Sequence, residues 1–477
     1  MKKTILTGLL LFAAAAAHSQ VRSGGLITFD EALGMTASRN ERIKASEFEQ
    51  EAAIKQKKAA AGLRLPSVNL TGAYAVMSDD IGVDLNHAKQ PVGTMLNGLS
   101  GALPAEAAAA IGQISGQLMA KDWALTIQDR DFGAVGAGIT VPVYTGGKIN
   151  AANRAAEIEV RTALESGNET SNALVSELAE RYFGLALAIQ VIEVREQVLE
   201  GMEHHLSDAR SMEEHGMIAK VERLYAEMQV AEAKKEVLKS VRDAATVNTA
   251  LCNTINTEGD FTPATTMFIV NNLESKEYFK ELALQNSPLL RQVSLKADLA
   301  QEGVRAQKAD FMPQVALMGV YDIYSYQVSK AIPQWAVGAG VKIKIFDGLN
   351  REYKYSAAKS KAKQVKSLKS KAESDILTLV DKTYNELLTC AEQIDAISVS
   401  LEFAEEYLRM QEISFREGAS SSSDVVDARL NLAKIRTEKL QAAFTYDVLL
   451  ARLLEICGLS QSYPLYISQK NTTQIKL

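Results

Sequence analysis

Two hydrophobic periods alternate along this chain, and each occurs twice. Val341, Ile343 and Ile345 alternate with Lys342 and Lys344, a period of two that predicts a half-exposed β-strand. The preceding stretch "VALMGVYDIY" sets Val315, Leu317, Gly319 and Tyr321 on one face, and "VNLTGAYAV" does the same with Val68, Leu70, Gly72, Tyr74 and Val76. A fourth strand, "VGAGITVPVYTGGKI" from Val135, returns as "VGAGVKIKIFDGLNR" from Val337. After each of these the period changes. Val175, Leu178, Tyr182, Leu185, Ile189, Ile192, Leu199 and Leu206 follow heptad spacing, as do Leu377, Val380, Tyr384, Leu387, Ala391, Ile394, Leu401 and Leu408. The run from Lys148 to Glu214 would form a helix of roughly 100 Å, too long for a globular core, so it must pack beside helices of its own kind.

The segment from Val135 to Asn256 aligns without a gap on Val337 to Gly458, a separation of 202 positions that matches Tyr182 with Tyr384 and Gly216 with Gly418. Upstream, Pro66 matches Pro313 at a separation of 247, so the first copy carries 45 extra residues between its strands. The chain is a duplication of one unit: helix, strand, strand, long helix, turn, helix. The first copy spans 20–256, with strands at about 66–77 and 133–145 and helices over about 148–256. A connecting segment covers 257–277. The second copy spans 278–458, with strands at about 313–325 and 334–346 and helices over about 349–458, and a tail covers 459–477. The surplus, within about 78–131, is rich in Ala and Gly and helix-like in its middle.

Composition narrows the partners. Nine prolines and 6% aromatic residues in 477 positions suit long helices. The net charge of -6 leaves no basic surface for nucleic acid. Lys2 and Lys3, the apolar run Ile5 to Ala17 and the small-x-small triplet before Gln20 read as a secretory signal over 1–19, so the chain is exported. Cys252, Cys390 and Cys457 lie far apart within apolar helical patterns and predict neither disulfides nor a metal knuckle. His204, His205 and His215 do not converge on one helical face, and Gly136 and Gly138 lack the third glycine of a dinucleotide fingerprint. No nucleophile elbow, P-loop or zincin motif occurs, so the sequence suggests neither an enzyme nor a cofactor.

Four amphipathic strands are too few to enclose a core, and they carry aromatics near their ends at Tyr144, Tyr324, Trp335 and Phe346, as membrane girdles do. With the tandem unit, the strand entries "LPSVNL" and "FMPQVAL", the exits "VPVYTGGK" and "KIFDGLNR", and "REGASSSSDVVDARLNLA", the chain resembles the TolC family of outer-membrane efflux proteins over nearly its whole length. The resemblance implies an α+β membrane protein, a homotrimer whose four strands per chain build one shared 12-stranded barrel in outer-membrane lipid, above a periplasmic cylinder of helices. It implies a duct of a Gram-negative bacterium that receives substrates from a periplasmic adaptor (membrane fusion protein) and an inner-membrane RND or ABC pump. The surplus would then be an extracellular loop, and the connecting segment and tail an equatorial belt. Lys342 and Lys344 would face the barrel lumen. Gly216 and Gly418 would reverse the helices. By family position Asp424 and Asp427, with the duplicate's Glu222, would ring the periplasmic aperture, whereas Ser420 stands where some members place a linking arginine. Acids in the first turn of a helix also simply complement its dipole. The competing function is a periplasmic coiled-coil adaptor or scaffold.

Overall fold

A computed structural model describes residues 25–469 and 471–475; the leader expected at 1–19 lies outside the described residues. The first copy opens with β1 (Gly25–Ile27), α1 (Phe29–Arg39), α2 (Glu41–Gly62) and β2 (Ser67–Val76). The surplus follows as β3 (Ile81–Asp84), α3 (Lys89–Ser100), α4 (Ala105–Ala120) and β4 (Ala124–Gln128). The copy then continues through β5 (Asp131–Tyr144), α5 (Lys148–Glu214), α6 (Lys220–Ile255) and β6 (Phe261–Pro263). The second copy comprises β7 (Phe268–Val270), α7 (Lys276–Asn286), α8 (Pro288–Ala309), β8 (Gln314–Tyr326), β9 (Trp335–Lys342), α9 (Asn350–Arg416) and α10 (Ser422–Ile456), then α11 (Tyr463–Ile467) and β10 (Thr472–Gln474). Helices α5 and α9 are both 67 residues long and start 202 positions apart, while α2 and α8, each of 22 residues, start 247 apart.

The duplication reaches further upstream than the strand motifs suggest. Helices α1 and α7, 11 residues each, are also 247 positions apart. Thr28 and Ser275 cap them at matching places, each accepting the backbone N–H three residues on. The Tyr182 hydroxyl donates to the Ile27 carbonyl at 2.6 Å, and its counterpart Tyr384 donates to the Glu274 carbonyl, the counterpart of Ile27, at 3.1 Å. One hydrogen bond thus pins the entry of both copies to their long helices.

The chain forms two compact units, one from Val160–Ala297, Val365–Leu477 and the residues up to Ala53, the other from Ile54–Glu159 and Asp298–Gln364. The first is helical, with two small ribbons: β1 pairs with β6 in parallel, and β7 with β10 antiparallel. Its core gathers Phe29, Tyr182, Phe183, Phe268 and Tyr463, with ring centroids 5.2–6.4 Å apart, mostly edge-on, with one stacked and two tilted pairs, at the separations aromatic pairs favour.

The second unit holds the adjoining ends of α2, α5, α8 and α9, the insertion from β3 to β4, and an antiparallel sheet in the order β2-β5-β8-β9. Register places Val68, Leu70, Tyr74, Ile139, Leu317, Val337 and Trp335 on one face and Asn69, Thr71, Gln314 and Lys342 on the other. Leu70 and Val337 on the apolar face are 69% and 76% exposed. The alternation predicted a final strand to about 346, but pairing ends at Lys342. Its partner starts at Gln314, preceded by Pro313, which has no N–H to extend the ladder. Beyond it Arg351 donates to the carbonyls of Lys344 and Ile345. Lys344 therefore lies outside the strand, and of the two lysines Lys342 alone is on the sheet's polar face. No helix among the described residues is long and apolar enough to cross a membrane, which says nothing of the sheet.

Candidate functional site: the paired helix turns

Both helix reversals belong to the first unit. Gly216 and Gly418 take φ +71° and +74°, the left-handed region that glycine enters without steric penalty. Behind each the chain closes in the same way: Met217 N–H donates to Met212 O and Ala419 N–H to Ser414 O, both at 2.8 Å, while Gly216 donates to Glu213 O and Gly418 to Phe415 O, both at 2.9 Å. These are Schellman closures that satisfy the last carbonyls of α5 and α9.

The returning helices start differently. Helix α10 carries a capping box: the Asp424 N–H donates to Ser421 Oγ at 3.3 Å, and Ser421 returns its N–H and hydroxyl to Asp424 Oδ2 at 2.8 and 2.6 Å. Those bonds hold the Asp424 carboxyl below the usual aspartate range. Helix α6 has Ala219 at its cap, with no side-chain acceptor. Its Glu222 reaches instead across to the other turn and accepts the Ser422 N–H at 3.0 Å. The fully buried Ser422 also meets His205 Nε2 of α5 through its hydroxyl at 2.5 Å, with the imidazole 4.6 Å from the Phe415 ring. Burial and the nearby Arg429 press the His205 pKa down, against the carboxylates of Asp208 and Glu222. Asp427 is exposed and has no hydrogen-bond or ion-pair partner among the described residues. Ser420 donates to the Gln411 carbonyl, so its hydroxyl tightens the turn.

Beside the turns, α10 docks on α5 through an arginine. Arg429 pairs with Glu412 of α9 and lies flat against Gly201 of α5. A Cβ on Gly201 would stand 1.6 Å from Arg429 Nη1, so only glycine leaves room for the guanidinium. Arg436, two turns on, donates to Gln197 of α5 and Glu405 of α9 at 2.6 and 2.9 Å. In the first copy the places of Glu412 and Arg429 are held by Arg210 and Glu227, which pair at 3.2 Å with signs reversed. A cleft of about 500 Å³ opens here, lined by Gly201, His204, His205, Asp208, Glu412 and Arg429.

The three acids singled out by family position are therefore not equivalent. Asp424 is spent on its own cap, Glu222 on the neighbouring turn, and Asp427 is free. Sequence reasoning misses Ser422, Arg429 and Gly201, and weighs His205 only as a metal ligand. Two signals point to them: a glycine in the middle of a long heptad-patterned helix, off the seam itself, and a charge pair that inverts between copies. His204 is exposed, His215 bonds its own helix through Ser211 O, and no cluster of three or more metal-ligating side chains exists among the described residues.

With this geometry, the model of the family described as outer membrane efflux protein matches residues 32–257 and 280–459, one match per copy. The chain belongs to that family. Among curated relatives, the efflux protein resembles nodulation protein T of Rhizobium leguminosarum bv. trifolii, 28% identical over 179 residues. That match spans 36% of this chain and only 37% of the relative. Among solved structures, CusC superposes with a TM-score of 0.71 at 15% identity, covering 90% of this chain and 91% of CusC. VceC of Vibrio cholerae gives 0.69 at 14%, covering 90% and 96%, and the open state of the Neisseria gonorrhoeae MtrE outer membrane channel 0.68 at 16%, covering 91% and 89%. At these identities the likeness is one of fold, and it includes the tandem repeat.

Proposed function

We propose that the efflux protein is the outer-membrane exit duct of a tripartite efflux or type I secretion system, a homotrimer fed by a periplasmic adaptor and an inner-membrane RND or ABC pump. The observation that carries this reading is the sheet. Its outer strands, β2 and β9, have no partner on their far sides among the described residues, and its apolar face is bare. A four-stranded sheet of this kind is stable in lipid only when its edges are closed by further strands. Tyr74, Tyr324, Tyr326 and Trp335 gather at one end of that face and Tyr144 at the other, as interfacial girdles do. On this reading three chains close twelve strands, and Lys342 faces the lumen.

The helices support a multimer independently. Val426, Leu440 and Ala443 of α10 are buried, at 0%, 1% and 0% exposure. Their counterparts on α6, Leu224, Leu238 and Val241, are 47%, 69% and 44% exposed. On α9, Val399, Phe403 and Tyr407 are likewise exposed where their counterparts Gln197, Gly201 and His205 meet α10. One chain leaves uncovered in one copy what it covers in the other, and a neighbouring copy of the chain fits that vacancy. At the mouth of such a trimer Asp427, the unpartnered acid, is the residue available to line the aperture and attract cations. A periplasmic adaptor or scaffold, the competing reading, leaves the bare sheet face unexplained.

The test is the mass of the detergent-extracted protein from separated membranes, by light scattering with the detergent subtracted. Three chains per particle in the outer-membrane fraction are expected. A water-soluble periplasmic monomer would refute the duct.

A further inference from the structure

The surplus between β2 and β5 is a helical hairpin with one apolar stripe too many. The Met119 thioether of α4 lies 3.7 Å from where a Cβ on Gly93 of α3 would stand, and Val92, Leu96 and Ile111 are half-buried like Met119 itself. That contact uses one stripe of each helix. A second remains exposed on each: Met95 and Leu99 at i, i+4 on α3, and Ile114 and Leu118 at the same spacing on α4. Between Lys89 and Ala120 the only ionisable side chains are Lys89 and Glu106. An exposed hairpin this apolar marks a contact surface.

Its root shows where it hangs. Gln128 of β4 donates to the Gln327 carbonyl at 2.7 Å and accepts the Ser329 N–H at 2.8 Å, tying the insertion to the loop between β8 and β9. That loop folds over the polar face of the sheet, where Val328 and Ile332 enclose a cavity of about 430 Å³ with Asn69, Thr71 and Gly136. The hairpin is therefore rooted on the polar side. Around the root, where Gln128 pairs with Ile81, lie Asp79, Asp80, Asp129 and Asp131 against Arg130, and at the other end of the β3–β4 ribbon Asp84 and Asp122 lie beside Lys89 and Lys121. This acidic collar disfavours an anionic lipid surface as the partner.

We propose that the spare stripes meet those of the same hairpin in neighbouring chains, so that three hairpins plug the outer mouth of the duct. This inference rests on the shared-barrel reading. Twelve strands spaced about 4.8 Å apart and tilted about 40° enclose a mouth roughly 24 Å across. A helix the length of α4, 16 residues, is also roughly 24 Å long. The rim lies roughly half that distance from the axis, so three hairpins hung from it reach the centre with length to spare and bury their second stripes there. The plug makes opening at the outer end a separate event from opening of the periplasmic turns.

The test uses the full-length protein in outer-membrane vesicles, with Cys252, Cys390 and Cys457 replaced by alanine, carrying Ile114→Cys or Leu118→Cys, and oxidised with copper phenanthroline. Disulfide-linked chain pairs are expected. Replacing residues 89–120 by a short Gly-Ser turn should raise single-channel conductance at least two-fold. Absence of cross-linking at both positions, or unchanged conductance, in particles of three-chain mass overturns the plug and leaves the shared barrel intact. Particles of one-chain mass overturn the shared barrel and the plug with it.

Discussion

Gly201 sits deep inside α5, where alanine is ordinarily the better residue by about 1 kcal/mol. The structure reverses that preference. A methyl group would stand 1.6 Å from the Arg429 guanidinium, which must then leave its seat. Leaving costs the bond to Glu412, whose carboxylate is about two-thirds covered, in a place where burial already presses the guanidinium pKa down. A charged hydrogen bond in such a setting contributes on the order of 2–3 kcal/mol. Gly201→Ala should therefore destabilise by about 1–2 kcal/mol, the difference of the two effects. In an Arg429→Ala background the obstacle is absent, and the same substitution should stabilise by about 1 kcal/mol. For a chain of 477 residues each kcal/mol shifts the melting point by roughly 1 °C. Circular dichroism or calorimetry of the four proteins of this cycle, in one detergent, reads both signs. If Gly201→Ala acts with the same sign and size in both backgrounds, the seat is not what fixes the glycine.

Three further outcomes follow from other positions. Asp447 is fully buried, accepts the Phe268 N–H at 3.4 Å and has one oxygen without a partner, so burial holds its pKa well above the usual aspartate value. The folded chain then keeps a proton that the unfolded chain releases above pH about 4, and stability declines with rising pH by up to about 1.4 kcal/mol per unit until the folded group itself ionises; Asp447→Asn should remove that slope and gain in melting point between pH 5 and 8. Asn256 and Gly458 occupy matching left-handed positions, φ +51° and +69°, but a Cβ on Gly458 would stand 2.4 Å from the Asn286 carbonyl oxygen; Gly458→Asn should destabilise by about 2 kcal/mol or more, while Asn256→Gly, which loses the amide's bond to the Arg39 carbonyl but relieves the left-handed backbone, should cost about 1 or less, read as shifts in melting point. At the turns, Ser421→Ala should cost about 1 kcal/mol of stability through the lost cap, whereas Asp427→Asn should leave the melting point unchanged and lower cation selectivity in planar bilayers.

The architecture was legible because it rests on period and repetition. Heptad seams located α5 and α9, and a constant separation of 202 tied each turn to its twin. What escaped was short or relational. Helices α1 and α7 are 11 residues long, and their equivalence rests on caps and on one tyrosine hydroxyl each rather than on matching apolar positions. Sequence alternation overextends β9, because it continues to Ile345 while the ladder stops opposite Gln314. At the turns, Ser421 and Asp424 form a local cap that sequence spacing alone can suggest. The bond from Glu222 to Ser422 joins residues 200 positions apart, and the seat of Arg429 on Gly201 spans more than that. No local pattern encodes which helix will lie beside which.

The reversed pair has a bearing on how the gene has evolved. Tandem halves tend to be made alike by recombination between them. Here a converted tract covering α9 but not α10 would install the Arg210 side chain opposite Arg429, and the reciprocal tract would set Glu412 against Glu227. Each hybrid hairpin brings like charges together where the parent has an ion pair, a change that weakens a helix pair rather than merely altering it. Piecemeal homogenisation of the two halves is thus disfavoured at this crossing, most strongly where the pair is covered by Gly201 and its neighbours.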